Sequence, residues 1–179
     1  DRPDVPLCTS SIGSVMRIAM SQFAADADPK RNLDHIQATV RESAGASIVV
    51  FPEATMARFG IPLGPVAEPL DGPWATAVRQ IADDANVLVV AGMFTPSPDG
   101  RVTNTLLITG RGVDTYYDKI HLFDAFGFAE SATVAPGARL VVSEVDDVTV
   151  GFATCYDIRF PGLFQKIADE GAVVTIVPA

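Results

Sequence analysis

Residues 151–162 read GFATCYDIRFPG, and this stretch combines the features that predict an α/β fold. An apolar segment with strand character, 148–153, leads into Cys155, and Pro161 then opens a predicted helix over 162–169. A cysteine at a strand-to-helix junction lies near the positive end of the helix dipole, which favours the thiolate. The setting predicts a nucleophile, whereas a lone cysteine is more often a small buried apolar residue.

The remaining chain alternates strand and helix patterns. The helical spacing of Leu33, Ile36 and Val40 predicts a helix over 29–44, and a second helix begins at 71–73. Two segments without a clear period are predicted as ordered loops, and they are 54–70 and 120–137. Strands are predicted over 17–23, 47–51, 87–94, 102–109, 113–117, 139–145, 148–153 and 172–177. This order predicts an α/β layered domain with a mixed sheet.

The composition is that of a globular chain with one domain, over 16–179, preceded by a loose leader over 1–15. The net charge of −9 disfavours nucleic acid and an acidic membrane surface as partners. No segment approaches the ~20 apolar residues of a membrane span. Because Cys8 and Cys155 are too few for a disulfide framework, the sequence predicts a reducing, cytoplasmic setting.

Three residues of different chemistry follow the ends of apolar strands. Glu53, Lys119 and Cys155 each lie within two residues of the carboxyl end of a predicted strand. Ligands of α/β sheets bind outside these ends, so the three side chains are expected to converge. A thiol that attacks, a carboxylate that takes its proton and an ammonium that stabilises an oxyanion are the parts needed for nucleophilic acyl transfer.

Other interpretations of these residues stay open at this point. The alternative for Glu53 is a residue that caps a loop, and the alternative for Lys119 is a solvated surface charge, because most charged side chains lie on the surface. His121 suggests a Cys–His dyad as a less favoured choice. The sequence has no CxxC, HExxH or carboxylate cluster, and no GxGxxG or Walker loop, so neither a metal nor a nucleotide cofactor is predicted.

The sequence motifs around the three residues resemble those of the carbon–nitrogen hydrolase family, the nitrilase superfamily. They are VVFPEATM around Glu53, YYDKIHLFD around Lys119 and GFATCYDIRFPGLF around Cys155, and the resemblance extends over 16–179. KIHLFD and CYDIRFP are most similar to the omega-amidase-like branch, which hydrolyses small amides that carry a carboxylate. Gly162 departs from this branch, which often has a glutamate after the proline.

The resemblance implies a Glu–Lys–Cys triad of Glu53, Lys119 and Cys155, with Glu130 as a second glutamate that positions the lysine and the substrate. It implies a four-layer αββα sandwich and a homo-oligomer, a dimer or larger. The family usually continues with further strands and helices, so the C-terminal part of the sandwich is expected to be missing from these 179 residues. The last predicted strand is accordingly expected deep in a sheet, with neighbours that this chain does not supply.

The expected reaction is cleavage of a small amide through a thioester, without a cofactor. Glu53 acts as base and then as acid, while Lys119 and the backbone N–H of Tyr156 stabilise the oxyanion. Arg159 is a weaker candidate that pairs either with a substrate carboxylate or with a neighbouring acid. The alternatives are a nitrile or N-carbamoyl hydrolase of the same family, and a catalytically silent chain with a binding or structural role.

Overall fold

Two β-sheets pack face to face, and helices cover the outer face of each sheet, in a computed structural model that describes residues 15–179. The first sheet contains six strands, β1 (Ile18–Met20), β2 (Ile48–Val50), β3 (Leu88–Pro96), β4 (Val102–Gly110), β5 (Val113–Asp118) and β8 (Val134–Ala135). The second sheet contains β9 (Val142–Val145), β10 (Val148–Phe152) and β11 (Val174–Ile176). A separate hairpin joins β6 (Asp124–Ala125) to β7 (Phe128–Ala129).

Three α-helices complete the layers. They are α1 (Pro29–Glu42), α2 (Pro73–Ala85) and α3 (Pro161–Asp169). Each has proline in its first turn, where the missing N–H costs no hydrogen bond. Asp28 caps α1, since its side chain accepts a hydrogen bond from Lys30 N at 2.9 Å.

The first sheet is mixed. Strands β1, β2 and β3 are parallel, whereas β3, β4 and β5 follow one another as antiparallel neighbours. The short β8 runs parallel to the start of β4 and pairs with residues that β5 does not reach. Strands β3 and β4 form a hairpin, with pairing that continues to Pro96 and Val102 at its turn.

Alternation along the strands assigns each face of the first sheet to a different layer. In β2, Val49 faces the helical layer, where Ile36 and Trp74 pack, while Ile48 and Val50 face the second sheet. All three residues of β2 are buried, which is typical of a strand covered on both faces. The core of the domain therefore lies on both sides of this one sheet.

The second sheet is covered by α3 on its outer face. Leu163 and Ile167 of α3 pack on Ala153 and Val142, while Val150 of β10 faces the first sheet. The layers are thus helices, sheet, sheet and helix, which confirms the αββα sandwich implied by the resemblance. The predicted mixed sheet is confirmed, since both sheets combine parallel and antiparallel pairs. The strand pattern did not show that the strands divide between two sheets, because alternating burial shows that a strand has two covered faces but not which sheet it joins.

The segment 120–137, predicted as a loop without regular structure, is more regular than expected. It contains β6, β7 and β8 and a 3₁₀ turn, Glu130–Ala132. The strands have two residues each, too short for an alternating pattern to reveal them. The prediction that this segment is ordered is correct, and its short pieces place Glu130 in the interior.

The last strand lies at an edge. Among residues 15–179, β11 pairs with β10 alone, and the expectation of further neighbours that this chain does not supply stays a prediction. At the far side of the first sheet, Met20 of β1 is 84% exposed, although its partner Val50 is buried against the second sheet. The two sheets overlap incompletely in the described residues.

Residues 1–14, with Cys8 and all but the last residue of the predicted leader, lie outside the described part, so the division into a leader and a domain stays a prediction. Within residues 15–179, no helix is both long enough and apolar enough to cross a membrane.

Candidate active site

The structure brings Glu53, Lys119 and Cys155 together at one end of the sandwich. Glu53 follows β2 and Lys119 follows β5, so both come from the first sheet. Cys155 follows β10 and therefore comes from the second sheet. With Glu130, the three side chains line a cavity of about 310 Å³. The cluster thus lies across both sheets, at strand ends as the sequence predicts.

Lys119 is the buried cation at the centre of this cluster, with only 2% of its surface exposed. Its Nζ donates to Glu53 Oε1 at 2.9 Å and to both carboxylate oxygens of Glu130, at 3.1 and 2.9 Å. Burial alone would lower the pKa of Lys119, but the two carboxylates outweigh burial and hold its pKa above the ordinary value. The lysine is therefore a fixed positive charge in the cavity.

Asn104 is a member of the cluster that the sequence analysis missed. It lies on β4, and its Nδ2 donates to Glu53 Oε1 at 2.7 Å and to Glu130 Oε1 at 3.3 Å. Its Oδ1 is buried and has no hydrogen-bond partner among the described residues. An amide in a buried strand was the available signal, because a buried polar side chain needs a partner. Asn104 ties the two carboxylates to the sheet.

Glu130 is held by the backbone as well as by side chains. Its Oε2 accepts a hydrogen bond from Phe123 N at 2.7 Å, and its own N–H donates to the Phe123 carbonyl at 3.2 Å. The carboxylate is thereby fixed on the side of Lys119 that faces the segment after β5. This arrangement suits a positioning group, since every contact keeps the carboxylate still.

Gly92 explains how the turn that carries Glu53 fits against β3. A Cβ at Gly92 would lie 2.5 Å from Ala54 N and 2.9 Å from the Pro52 carbonyl oxygen, closer than real contacts allow. Met56 N donates to the Gly92 carbonyl at 2.8 Å. The absence of a side chain on this strand therefore lets the turn approach closely enough to point Glu53 at Lys119.

Cys155 begins a 3₁₀ turn, Cys155–Arg159, which we call the cysteine turn. Its φ of 45° is left-handed, an unusual conformation for a residue other than glycine. Its N–H donates to the Pro178 carbonyl at 2.8 Å. Left-handed residues outside glycine cluster at functional sites, where the surrounding structure holds them.

The thiol of Cys155 is protonated at neutral pH. Burial, followed by the charge and hydrogen bonding of Glu53, raises its pKa from 9.0 to about 11, and the opposing effect of Lys119 is smaller. The expectation that a helix dipole favours the thiolate is wrong, because Cys155 starts a short 3₁₀ turn and α3 begins only at Pro161. The site needs a base to take the proton.

The other two predicted residues of the cysteine turn differ in placement. The N–H of Tyr156 donates to no acceptor within residues 15–179, so a hydrogen-bond donor is available next to the sulfur. Arg159 is exposed and does not line the cavity of Cys155. The geometry does not bring Arg159 to the substrate position, so its predicted role is not supported by where the side chain lies.

His121 is engaged elsewhere. Its backbone N and its ring Nδ1 contact Asp157 Oδ1 at 2.8 and 2.7 Å, and its ring stacks on Phe160 with centroids 3.7 Å apart. The imidazole that a Cys–His dyad would use is thus paired with a buried carboxylate. Within residues 15–179, no group of three or more His, Cys, Asp and Glu side chains could hold a metal ion.

The walls of the cavity are apolar and aromatic. They are formed by Phe59, Leu63, Phe123, Phe128 and Val134. Phe128 belongs to the β6–β7 hairpin, whose tip carries Phe126 with 99% of its surface exposed. The reactive groups therefore lie at the base of a hydrophobic opening, and the hairpin forms part of its rim.

A sequence profile of the family described as carbon-nitrogen hydrolase matches residues 17–179. The chain belongs to the carbon–nitrogen hydrolase family. It is 55% identical over 170 residues to "Hydrolase Rv0480c" of Mycobacterium tuberculosis H37Rv, and 30% identical over 172 residues to "Omega-amidase NIT2" of Xenopus tropicalis. The matches cover 92% and 90% of this chain, which spans 61% and 62% of the length of these two relatives.

Solved structures of the carbon–nitrogen hydrolase family show the same fold. XC1258 from Xanthomonas campestris, described as a CN-hydrolase superfamily protein with an arsenic adduct in its active site, matches with a TM-score of 0.75 and 30% identity. The match covers 82% of this chain and 56% of that one. The two-sheet sandwich of this chain is therefore shared with a solved member of the family.

Proposed function

We propose that this protein hydrolyses the carbon–nitrogen bond of a small amide through a thioester formed on Cys155. The products are a carboxylic acid and ammonia or an amine. The observation that carries the proposal is the buried ion cluster in which Lys119 bonds both Glu53 and Glu130 beside the thiol, at the base of one cavity. Buried charges are costly, and a cluster of them next to a nucleophile is typical of a catalytic site.

The first half of the reaction forms the thioester. Because the pKa of Cys155 is raised to about 11, the sulfur attacks the carbonyl carbon as Glu53 takes its proton. The carbonyl electron pair moves to the oxygen, where Lys119 and the N–H of Tyr156 stabilise the negative charge. Glu53 then gives the proton to the nitrogen, the carbon–nitrogen bond breaks and the amine leaves.

The second half of the reaction returns the thiol. Water enters where the amine left, and Glu53 takes one of its protons as the oxygen attacks the thioester carbon. The tetrahedral oxyanion forms again beside Lys119 and collapses with cleavage of the carbon–sulfur bond. Glu53 returns its proton to the departing sulfur of Cys155, and the acid is released. No redox step and no further reactant are involved.

Glu130 and Asn104 act as positioning groups in this scheme. Neither takes a proton; instead they fix Lys119 and Glu53 at hydrogen-bonding distance from each other. The same contacts keep the charge cluster from relaxing when the oxyanion forms, which is the basis of electrostatic preorganisation.

An amide substrate is the favoured hypothesis over a nitrile or an N-carbamoyl compound, because one relative of this chain is named omega-amidase. A carboxylate-bearing substrate of the omega-amidase kind receives no support from Arg159, which lies away from the cavity. The homo-oligomer and the cytoplasmic location stay predictions, and size-exclusion chromatography with light scattering tests the first of them.

The test is a product screen with the purified protein. Amides, nitriles and N-carbamoyl compounds of matched acyl groups are incubated with the protein and with Cys155→Ser, and acid and ammonia are quantified together. We expect equimolar acid and ammonia from amides, and an acyl adduct on Cys155 by intact mass spectrometry. Activity that persists in Cys155→Ser contradicts the nucleophile, and release from nitriles alone favours the alternative reaction. A folded protein without hydrolysis favours the binding or structural role.

A further inference from the structure

We propose that Asp157, two residues after the candidate nucleophile, is a positioning residue that holds the cysteine turn in its reactive shape and fixes it to the segment carrying Lys119. The inference rests on the proposed function in one respect, the role of Cys155. Asp157 does not line the cavity, so it acts through other residues and not on the substrate.

The carboxylate of Asp157 is fully buried and accepts four hydrogen bonds. Oδ1 accepts from the backbone N of His121 at 2.8 Å and lies 2.7 Å from its Nδ1. Oδ2 accepts from the hydroxyl of Tyr117 at 2.7 Å and from Thr154 N at 2.9 Å. Both oxygens are thereby saturated, which offsets the cost of burying the group.

Two contacts close a ring around Cys155. Thr154 N donates to Asp157 Oδ2, and Asp157 N donates back to the Thr154 carbonyl at 2.9 Å. The residue inside this ring is the one with a left-handed φ of 45°. Strained backbone persists only where its surroundings hold it, and the ring supplies that restraint on both sides of the cysteine.

The other two donors bracket Lys119. Tyr117 and His121 lie two residues before and two residues after it, on the segment that leaves the first sheet. Lys119 itself donates to Glu53 and Glu130. One buried carboxylate on the turn after β10 therefore sets the position of the lysine segment, 117–121, relative to the sulfur. Phe160 stacks on the His121 ring with planes 8° apart and closes the network from outside.

The variants separate positioning from plain stability. Asp157→Asn keeps the shape but replaces an acceptor oxygen by an NH₂ group that faces the donors. Tyr117→Phe removes one donor and leaves the carboxylate in place. Val78→Ala is the matched control, because it removes buried side-chain volume between α2 and the first sheet, away from the cavity.

Two measurements are made on each variant in a Cys8→Ala background, where Cys155 is the only cysteine. The first is kcat and KM for an amide that the unmodified protein hydrolyses. The second is the rate at which iodoacetamide alkylates Cys155 as a function of pH, which needs no substrate and so tests Asp157 even if the protein hydrolyses no amide. Thermal unfolding gives the loss of stability for comparison.

We expect Asp157→Asn to lower kcat about 10²-fold with little change in KM, the scale of a displacement of about 1 Å in a catalytic group. Its alkylation midpoint should move down toward that of an ordinary cysteine, as the sulfur leaves Glu53. Tyr117→Phe should show the same changes more weakly, and it decides the matter if Asp157→Asn does not fold. Unchanged kcat and alkylation profiles in the folded variants, or the same losses in Val78→Ala at equal melting temperature, would overturn the proposal.

Discussion

Replacing Glu53 by glutamine should have opposite effects on hydrolysis and on the chemical reactivity of Cys155. The carboxylate has two roles in the structure: it suppresses ionisation of the resting thiol and is placed to take its proton. The pKa of Cys155 is about 11, so about one thiol in 10⁴ is ionised at pH 7. Glutamine removes the negative charge but keeps an oxygen that can accept the hydrogen bonds of Asn104 and Lys119.

The size of the effect follows from the causes of the shift. With Glu53 neutral, burial still raises the pKa of Cys155, while Lys119 lowers it. A fall toward 9.0 multiplies the thiolate population at pH 7 by about 10². A less basic thiolate is also a weaker nucleophile, with a Brønsted coefficient of about 0.4–0.5, so alkylation should become about tenfold faster. Hydrolysis should become about 10²–10⁴-fold slower, because its base is gone.

The assay is alkylation of Cys155 by iodoacetamide in the Cys8→Ala background, followed by intact mass from about pH 6 to about pH 11. In the unmodified site, the rate should rise about tenfold per pH unit and level off only near the top of this range. The glutamine variant should level off earlier. Slower alkylation of Glu53→Gln at pH 7, or levelling near 8.5 with Glu53 present, would refute the reasoning.

Three further predictions concern the same cluster. Lys119→Met leaves the carboxylates of Glu53 and Glu130 buried without their cation, so chemical denaturation should show a loss of about 3–5 kcal/mol in the free energy of unfolding, and an unchanged value would contradict the ion cluster. Glu130→Gln should slow hydrolysis less than Glu53→Gln, and an equal loss in kcat would show that Glu130 does more than position other groups. Asn104→Asp adds a third carboxylate to the cluster, so it should lower the rate of hydrolysis at neutral pH more than Asn104→Leu does. The difference in rate between the two variants should shrink as acid neutralises the carboxylates, and steady-state rates measured against pH check this.

Much of the site's location follows from the sequence because strand ends are easy to recognise. Glu53, Lys119 and Cys155 each follow an apolar run, and runs of this kind end at the edge of a sheet where side chains meet. The family resemblance then supplied Glu130, which no strand pattern indicates, since it lies in a 3₁₀ turn between strands of two residues. Local pattern and motif therefore located different members of one cluster.

The remaining features depend on contacts between distant segments. In the sequence, Asn104 is one residue of a predicted strand. Its role becomes visible only in the structure, where its amide donates to both Glu53 and Glu130. The pKa of the Cys155 thiol is set by burial and by a carboxylate 102 positions earlier in the chain, so a dipole argument from neighbouring residues gave the wrong sign. The division into two sheets also escapes local analysis, since each strand carries the same kind of apolar alternation in either sheet.

The origin of the cluster in two separate sheets makes its activity sensitive to sliding of one layer over the other. Glu53 and Lys119 move with one layer and Cys155 with the other. The core between the layers is apolar and has little directional preference, so the hydrogen bonds of Asp157 to Tyr117 and His121 are the directional links beside the site. A slip that leaves every strand hydrogen-bonded still separates sulfur from base, so mild denaturant should abolish hydrolysis before the far-ultraviolet circular dichroism changes. Coincident loss of both signals would show that the layers part only when the strands themselves unfold.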